Sequence, residues 1–356
     1  MGAAAEAQEE ALERSQVPRP SDVPGRWRFR HPERPVKVVV LAGSIGAYRR
    51  SPYARVIESW CSAIEVKNIS RAGLGAWALR RHFQYEVLRN RRIPWREPQH
   101  SYWLIYGGGL NSVGSPERTI YHMRETFLLA HARNMQVMAL TLTPWGDMRD
   151  RRWRGAEALR YLKSTQQIAK FVLGKLSPQE ALGHYAVKRA DPDASWLPSE
   201  LPDIGVDLYD SSLRDRQALL RAPQELEPAL RRSAQWRRSV RTLDEAQKEQ
   251  RLAADSALLA QVPQWFMRPE LRGFDHIHPN EAGHRLVASL VCQQAPKAWQ
   301  CHCPAAADVQ KAPAAPVALP HKMPKHGQQC QAQGAQHPPT AASPVVTPEV
   351  PLCGFH

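Results

Sequence analysis

Asp275 and His278 stand three residues apart in Phe-Asp-His-Ile-His-Pro-Asn, a short loop that leads into a helical stretch from Glu281 to Val291. At that spacing one carboxylate can hold one imidazole in a single tautomer within the same turn, and can stabilise the ring once it is protonated. A base so prepared needs a nucleophile, and Ser44 in Ala-Gly-Ser-Ile-Gly offers a hydroxyl flanked by small residues. Acyl transfer also needs donors for the developing oxyanion. Gly75 brings a backbone N–H with no side chain in the way, and Asn111 brings an amide with two hydrogens. Each residue has a plainer reading: turn glycines, a cap or turn asparagine, an acid near a helix start. Their joint occurrence in this order points to acyl transfer. His276, between acid and base, reads as a substrate-site or supporting residue rather than a metal ligand.

Such residues need rigid elements to place them. The run Val38–Leu41 reads as a strand buried on both faces, as in a parallel sheet, and it ends in the Ser44 turn. Further strands are expected over residues 63–69, 102–106, 136–142 and 206–209, with helices between them. Ser51-Pro52 and Ser115-Pro116 give helix starts. Alternation of this kind predicts an α/β fold, a three-layer α/β/α sandwich on a five-stranded parallel sheet. Three strand ends then deliver the turns of Ser44, Gly75 and Asn111 to one edge, where ligand sites form. Between Asp210 and Phe274 the alternation stops, and apolar spacing through Leu226, Leu230, Trp236, Val240, Leu252 and Leu258 predicts two or three amphipathic helices. This insert, about residues 211–273, is expected to cover the cleft near Ser44 as a lid or wall.

The ends of the chain differ from its middle. Thirty prolines among 356 residues are more than one packed domain uses, and they gather at the two ends. Residues 1–34 read as a flexible leader with a short helix near Ala3–Arg14, and residues 304–356 as a disordered Pro/Ala/Gln/His-rich tail. Residues 35–303 are then the folded domain. The net charge of +14 rests mostly on arginines spread along the chain and often alternating with acids. No basic block stands beside stacking aromatics, so nucleic acid is not an expected partner, although an anionic polymer held by the arginine surface is a third reading. No apolar run approaches a membrane span, and no signal peptide follows Met1, so a cytoplasmic protein is expected. Six cysteines in a chain this long do not make a disulfide scaffold. Cys301-His302-Cys303 with Cys292 could hold zinc, but a second paired C-x-x-C is missing, and no metal is expected.

Four blocks together resemble the SGNH, or GDSL-type, serine hydrolase superfamily: Gly43-Ser44-Ile45, Gly75, Gly109-Leu110-Asn111, and Asp275-His276-Ile277-His278-Pro279-Asn280 continuing to Gly283-His284. The last is similar to the family's DGIHPN…GH. The resemblance covers roughly residues 36–144 and 200–292, leaving the leader, the insert and the tail outside it. It implies Ser44 as nucleophile, His278 as base and Asp275 as its orienter. The N–H groups of Ser44 and Gly75 with the Asn111 amide would form an oxyanion hole. It implies hydrolysis of an acyl or acetyl ester, on a small-molecule, lipid or carbohydrate substrate, without a cofactor. Two positions depart from the pattern: Gly43 stands where the family has Asp, and Ser112 follows the asparagine where the family has Asp. Both usually support the loops. Their loss is what favours the alternative, a catalytically weakened or inactive binding module of the same fold. A G-x-S-x-G nucleophile elbow is absent, and Asp275 and His278 are close in sequence, unlike the acid and base of an α/β-hydrolase.

Overall fold

Val36–Ala42 forms strand β1, buried along its whole length. Its side chains alternate between two cores, with Val36, Val38 and Val40 in one and Val39 and Leu41 in the other. A strand covered on both faces requires a continuous apolar run, which is the pattern the sequence shows. In this computed structural model, which describes residues 23–48, 52–95 and 97–305, β1 pairs in parallel with β2 (Ile64–Asn68) and β3 (Ser101–Gly107). β4 (Met135–Leu140) and β5 (Ile204–Val206) extend the sheet beyond β3 in the order β2-β1-β3-β4-β5. The five parallel strands expected from the sequence are present. β5, expected over residues 206–209, stops at Val206. The N–H groups of Leu208 and Tyr209 instead donate to the Thr141 hydroxyl at 2.8 and 2.9 Å, so the ladder does not continue. The short helix expected near Ala3–Arg14 and the tail beyond residue 305 lie outside the described residues.

The α-helices of the described residues are α1 (Tyr53–Trp60), α2 (Ala76–Phe83), α3 (Pro116–His131), α4 (Gly155–Val172), α5 (Pro178–Leu182), α6 (Pro223–Arg232), α7 (Ala234–Ser239), α8 (Glu245–Leu259) and α9 (Glu281–Gln293). α1 and α9 cover one face of the sheet through Tyr53, Ile57, Leu286 and Val291. α2, α3 and α4 cover the other through Leu79, Phe83, Phe127 and Leu162. The winding reverses between β1 and β3, which opens a crevice at their carboxyl ends. Ala42 pairs with Gly107 at the last rung, so the turns carrying Ser44 and Asn111 leave the sheet at one level.

The insert differs from its expected role. α6, α7 and α8 bury Leu226, Leu230, Trp236 and Leu252 in the same core as α4. Asp255, itself buried, clamps them there: it accepts from Lys163 of α4, from the Trp236 indole and from Arg251 at 3.1, 3.1 and 2.9 Å. What reaches the carboxyl edge is the returning segment, where Phe266 N–H donates to Gly146 O at 3.3 Å and Met148 N–H to Gln264 O at 3.1 Å. Residues 23–34, counted by composition with the leader, also lie on the fold. Trp27 and Phe29 pack against the core, and the Glu65 carboxylate accepts the N–H groups of Arg30 and His31 while pairing with buried Lys37 at 3.0 Å.

Four cysteines are cross-linked, Cys61 to Cys301 and Cys292 to Cys303, which corrects a reading that left them without a structural role and removes the thiolates of a zinc site built on Cys292, Cys301 and Cys303. Such bridges persist in oxidising compartments and are reduced in a cytoplasm. The segment after α9 is also held by Ser62 and Ala63, whose N–H groups donate to Gln300 O and Trp299 O at 3.2 and 3.3 Å. The Cys61–Cys301 bridge spans 240 residues. Chain entropy for a loop of that size amounts to about 5 kcal/mol, so a thiol reductant should lower Tm by many degrees. An unchanged Tm in reduced, alkylated protein would mean that the hydrogen bonds alone hold this end. No helix of the described residues is long and apolar enough to cross a membrane.

Candidate active site

After β1 the chain turns within Gly43–Ala47, closed by the Ala47 N–H to Gly43 O at 3.1 Å. The turn requires glycine at position 46, where a Cβ would come within 2.4 Å of Ser70 Oγ and 2.6 Å of the Ala42 Cβ. From β2, Asn68 Nδ2 donates to Gly46 O at 2.8 Å, and Ser70 Oγ accepts the Ala42 N–H at 3.0 Å. These ties hold the half-buried Ser44 at the end of β1. Among the described residues its N–H donates to no acceptor.

Ser44 Oγ lies 2.6 Å from His278 Nε2. The opposite ring nitrogen, Nδ1, is hydrogen-bonded to Asp275 Oδ2. Asp275 Oδ1 accepts the N–H groups of Ile277 and His278, each at 3.0 Å. Burial works to raise the Asp275 carboxyl, but those backbone donors and the imidazole hold it below the ordinary carboxylate range. It is an anion at neutral pH, suited to keep the proton on Nδ1 and leave Nε2 to accept one. The loop is braced at both ends: Gly273 N–H donates to His278 O at 2.7 Å, and Asn280 caps α9 by accepting the Gly283 N–H at 3.0 Å.

Asn111 follows Gly109, whose φ of +106° favours a residue without a Cβ. The exposed Asn111 amide donates one hydrogen to Leu74 O at 3.2 Å, and its second has no acceptor among the described residues. A Cβ on residue 43 would sit 3.3 Å from Asn111 Nδ2, so Gly43 lets this amide lie directly against the Ser44 turn. Ser112 accounts for the other departure. Its hydroxyl accepts the Ala76 N–H at the start of α2 at 3.1 Å and contacts Thr119 Oγ1 at 2.9 Å. A serine thereby lashes the Gly75 turn to the Asn111 turn. The Gly75 N–H has no acceptor among the described residues.

Several neighbours escaped the sequence reading. Asp147, buried beyond β4, pairs with Arg149 at 2.6 Å, and Arg149 also meets His276 Nε2. Burial works to raise the Asp147 carboxyl, but the Arg149 guanidinium and N–H hold it low. His276 adopts φ +59° and lies with Nδ1 3.5 Å from Asp147, off the Asp275–His278 pair. Burial, with the charges of Arg149 and Arg272, keeps His276 below its ordinary value against the pull of Asp147. His284, fully buried on α9, stacks on Tyr48, beyond the Ser44 turn, at 4.7 Å. Burial, then the charge on His278, push it down to about 4, so it is neutral at neutral pH. Phe274, next to Asp275, is 96% exposed and offers an apolar surface at the rim. Apart from the Asp147–Arg149 pair, two residues apart, these contacts follow no sequence spacing, since each joins segments far apart in the chain.

No family model matches the chain, and no curated protein matches it. Solved structures similar to it include a GDSL-like lipase from Bacteroides thetaiotaomicron VPI-5482, with 11% identity over 80% of this chain and 95% of that one and a TM-score of 0.40. Another is a member of the lipolytic protein G-D-S-L family from Veillonella parvula DSM 2008, with 12% identity over 72% and 97% of the two chains and a TM-score of 0.38. A third, a variant of an acetyl xylan esterase from Geobacillus stearothermophilus, shares 12% identity over 76% and 95% of the two chains at a TM-score of 0.34. At such identities and scores the likeness says nothing of chemistry. The five-stranded parallel sheet with helices on both faces is the fold that the SGNH/GDSL resemblance implies.

Proposed function

We propose that the protein is a serine hydrolase that cleaves an acyl or acetyl ester with the triad Ser44, His278 and Asp275. The observation that carries this reading is the unbroken line from Ser44 Oγ through both nitrogens of His278 to Asp275, with Ser44 Oγ 2.6 Å from Nε2. As Ser44 attacks the ester carbonyl, Nε2 takes its proton, and Asp275 stabilises the imidazolium. The carbonyl oxygen gains charge and is received by the N–H groups of Ser44 and Gly75 and the free hydrogen of Asn111 Nδ2. Collapse expels the alcohol, which takes the proton from Nε2. Water, deprotonated by the same nitrogen, then releases the acid from Ser44.

The Ser112 hydroxyl bonds supply the loop bracing that its departure from the family pattern would otherwise remove, which weighs against the binding-module alternative. A panel of nitrophenyl esters of rising acyl length tests for turnover and reads out chain preference. Phe274 and the Arg149–His276 pair are the rim groups that the acyl or alcohol portion would meet. Asn111→Ala should lower kcat by about 10²–10³ while KM changes less, because the lost donor acts on charge that develops only in the transition state. Equal activity in this variant would leave Asn111 as a turn residue.

A further inference from the structure

Several arginines on the surface of this protein stand beside an acid: Arg160 by Glu157, Arg216 by Asp210 and Arg231 by Glu249, at 2.9, 2.9 and 2.6 Å. One region gathers basic side chains that do not. Where residues 23–34 meet the loop before β3, a cavity of about 990 Å³ is lined by Arg26, Arg28, Arg30, Lys67 and Arg92. Among the described residues none of these five side chains forms an ion pair. Lys37 at the floor is already matched to Glu65, so the excess positive charge lies with the others. Glu97 is the one acid in the lining and does not balance it.

The arrangement is ordered by the chain. Arg26, Arg28 and Arg30 are exposed and alternate with half-buried Trp27 and Phe29. That alternation leaves the three guanidinium groups on the outward side of the segment while the rings face inward. A second cavity of about 320 Å³, lined by Arg91 among others, shares Arg26 and Arg92 with the first, and the basic lining that continues across both is here called the trough. Basic side chains spread over two neighbouring cavities suit a linear polyanion better than a single compact anion. The aromatic rings do not offer stacking platforms: Trp27 and Phe29 pack edge to face at 5.3 Å against the core, and Lys67 and Lys37 each lie 5.4 Å from one ring centroid. Single-stranded nucleic acid is held largely by such platforms. Glu97, also in the lining and paired with His100 at 2.8 Å, is an acceptor to which a sugar hydroxyl can donate and a phosphate chain without hydroxyls cannot.

We propose that this trough binds a linear sulfated polysaccharide. It lies by the amino ends of β1 and β3, where Lys37 and His100 stand, whereas Ser44 follows the carboxyl end of β1. The site is therefore a tether, separate from the catalytic crevice. Heparin is the probe, titrated against the full chain at several salt concentrations. The double substitution Arg28→Gln with Arg30→Gln should weaken heparin binding about tenfold or more and should lower the slope of log K against log salt by about two. The pair Arg237→Gln and Arg238→Gln, both exposed on α7, removes the same charge elsewhere and should leave binding nearly unchanged. Equal loss from both pairs would reduce the effect to bulk charge and overturn the site. Tighter binding to oligothymidylate or to inorganic polyphosphate than to heparin would overturn the choice of polymer. Nitrophenyl acetate turnover should be the same in the trough variant as in the unsubstituted protein, so heparin binding and the Ser44 chemistry stand or fall separately.

Discussion

Initial rates on one activated ester are expected to fall by about 10⁴–10⁶ in His278→Ala, close to the rate without enzyme. His276→Ala should keep a substantial fraction of the activity. The two histidines are two residues apart, and both are close to Asp275 in sequence, so the contrast is a demanding one. Geometry separates them: His278 bridges Ser44 and Asp275, while His276, at φ +59°, meets Asp147 and Arg149. A dead His276→Ala beside an active His278→Ala would assign the base to the wrong ring. Because His276 O also accepts the Gly146 N–H at 2.8 Å, a bond its backbone keeps after substitution, His276→Ala should remain folded.

Asp275→Ala should be the second most damaging change, with a loss of about 10⁴. Two effects combine. The imidazole loses the acceptor that fixes its tautomer, and the imidazolium formed during attack loses its counter-charge. The loop also loses the acceptor of the Ile277 and His278 N–H groups. Asp275→Asn keeps the size of the side chain and can still accept those backbone bonds through its oxygen. If Asn is as damaging as Ala while near-ultraviolet circular dichroism is unchanged, the carboxylate acts on the imidazole. If Asn restores most of the rate, its role is to shape the loop.

How much of this was legible in the sequence depends on the range of each interaction. The five strands could be read because both faces of the sheet are covered, and continuous apolar runs such as Val38–Leu41 have no other use. The Asp275–His278 pair could be read because the whole interaction fits within one turn. Ser44, Gly75 and Asn111 could be set at one edge because parallel strands deliver their ends to the same side. The disulfides were hidden, since Cys61 and Cys301 are brought together only by the path of α1 and the segment after α9. Trp27 and Phe29 were hidden by their arginine and proline neighbours, which made a packed segment resemble a leader. The insert showed its helices but not their seat, because apolar spacing tells which face is buried and not against what. Ser112 is the instructive case. As a departure from a pattern it signalled weakened loops, yet its hydroxyl ties the Gly75 and Asn111 turns together.

The central claim is that Ser44 is an activated nucleophile, and covalent labelling by a fluorophosphonate, followed by mass spectrometry of the modified peptide, tests it most directly. A stoichiometric phosphonyl adduct on Ser44 is predicted, lost in Ser44→Ala and strongly slowed in His278→Ala. Folded protein that stays unlabelled at Ser44, or takes up the probe equally well in Ser44→Ala, would contradict it.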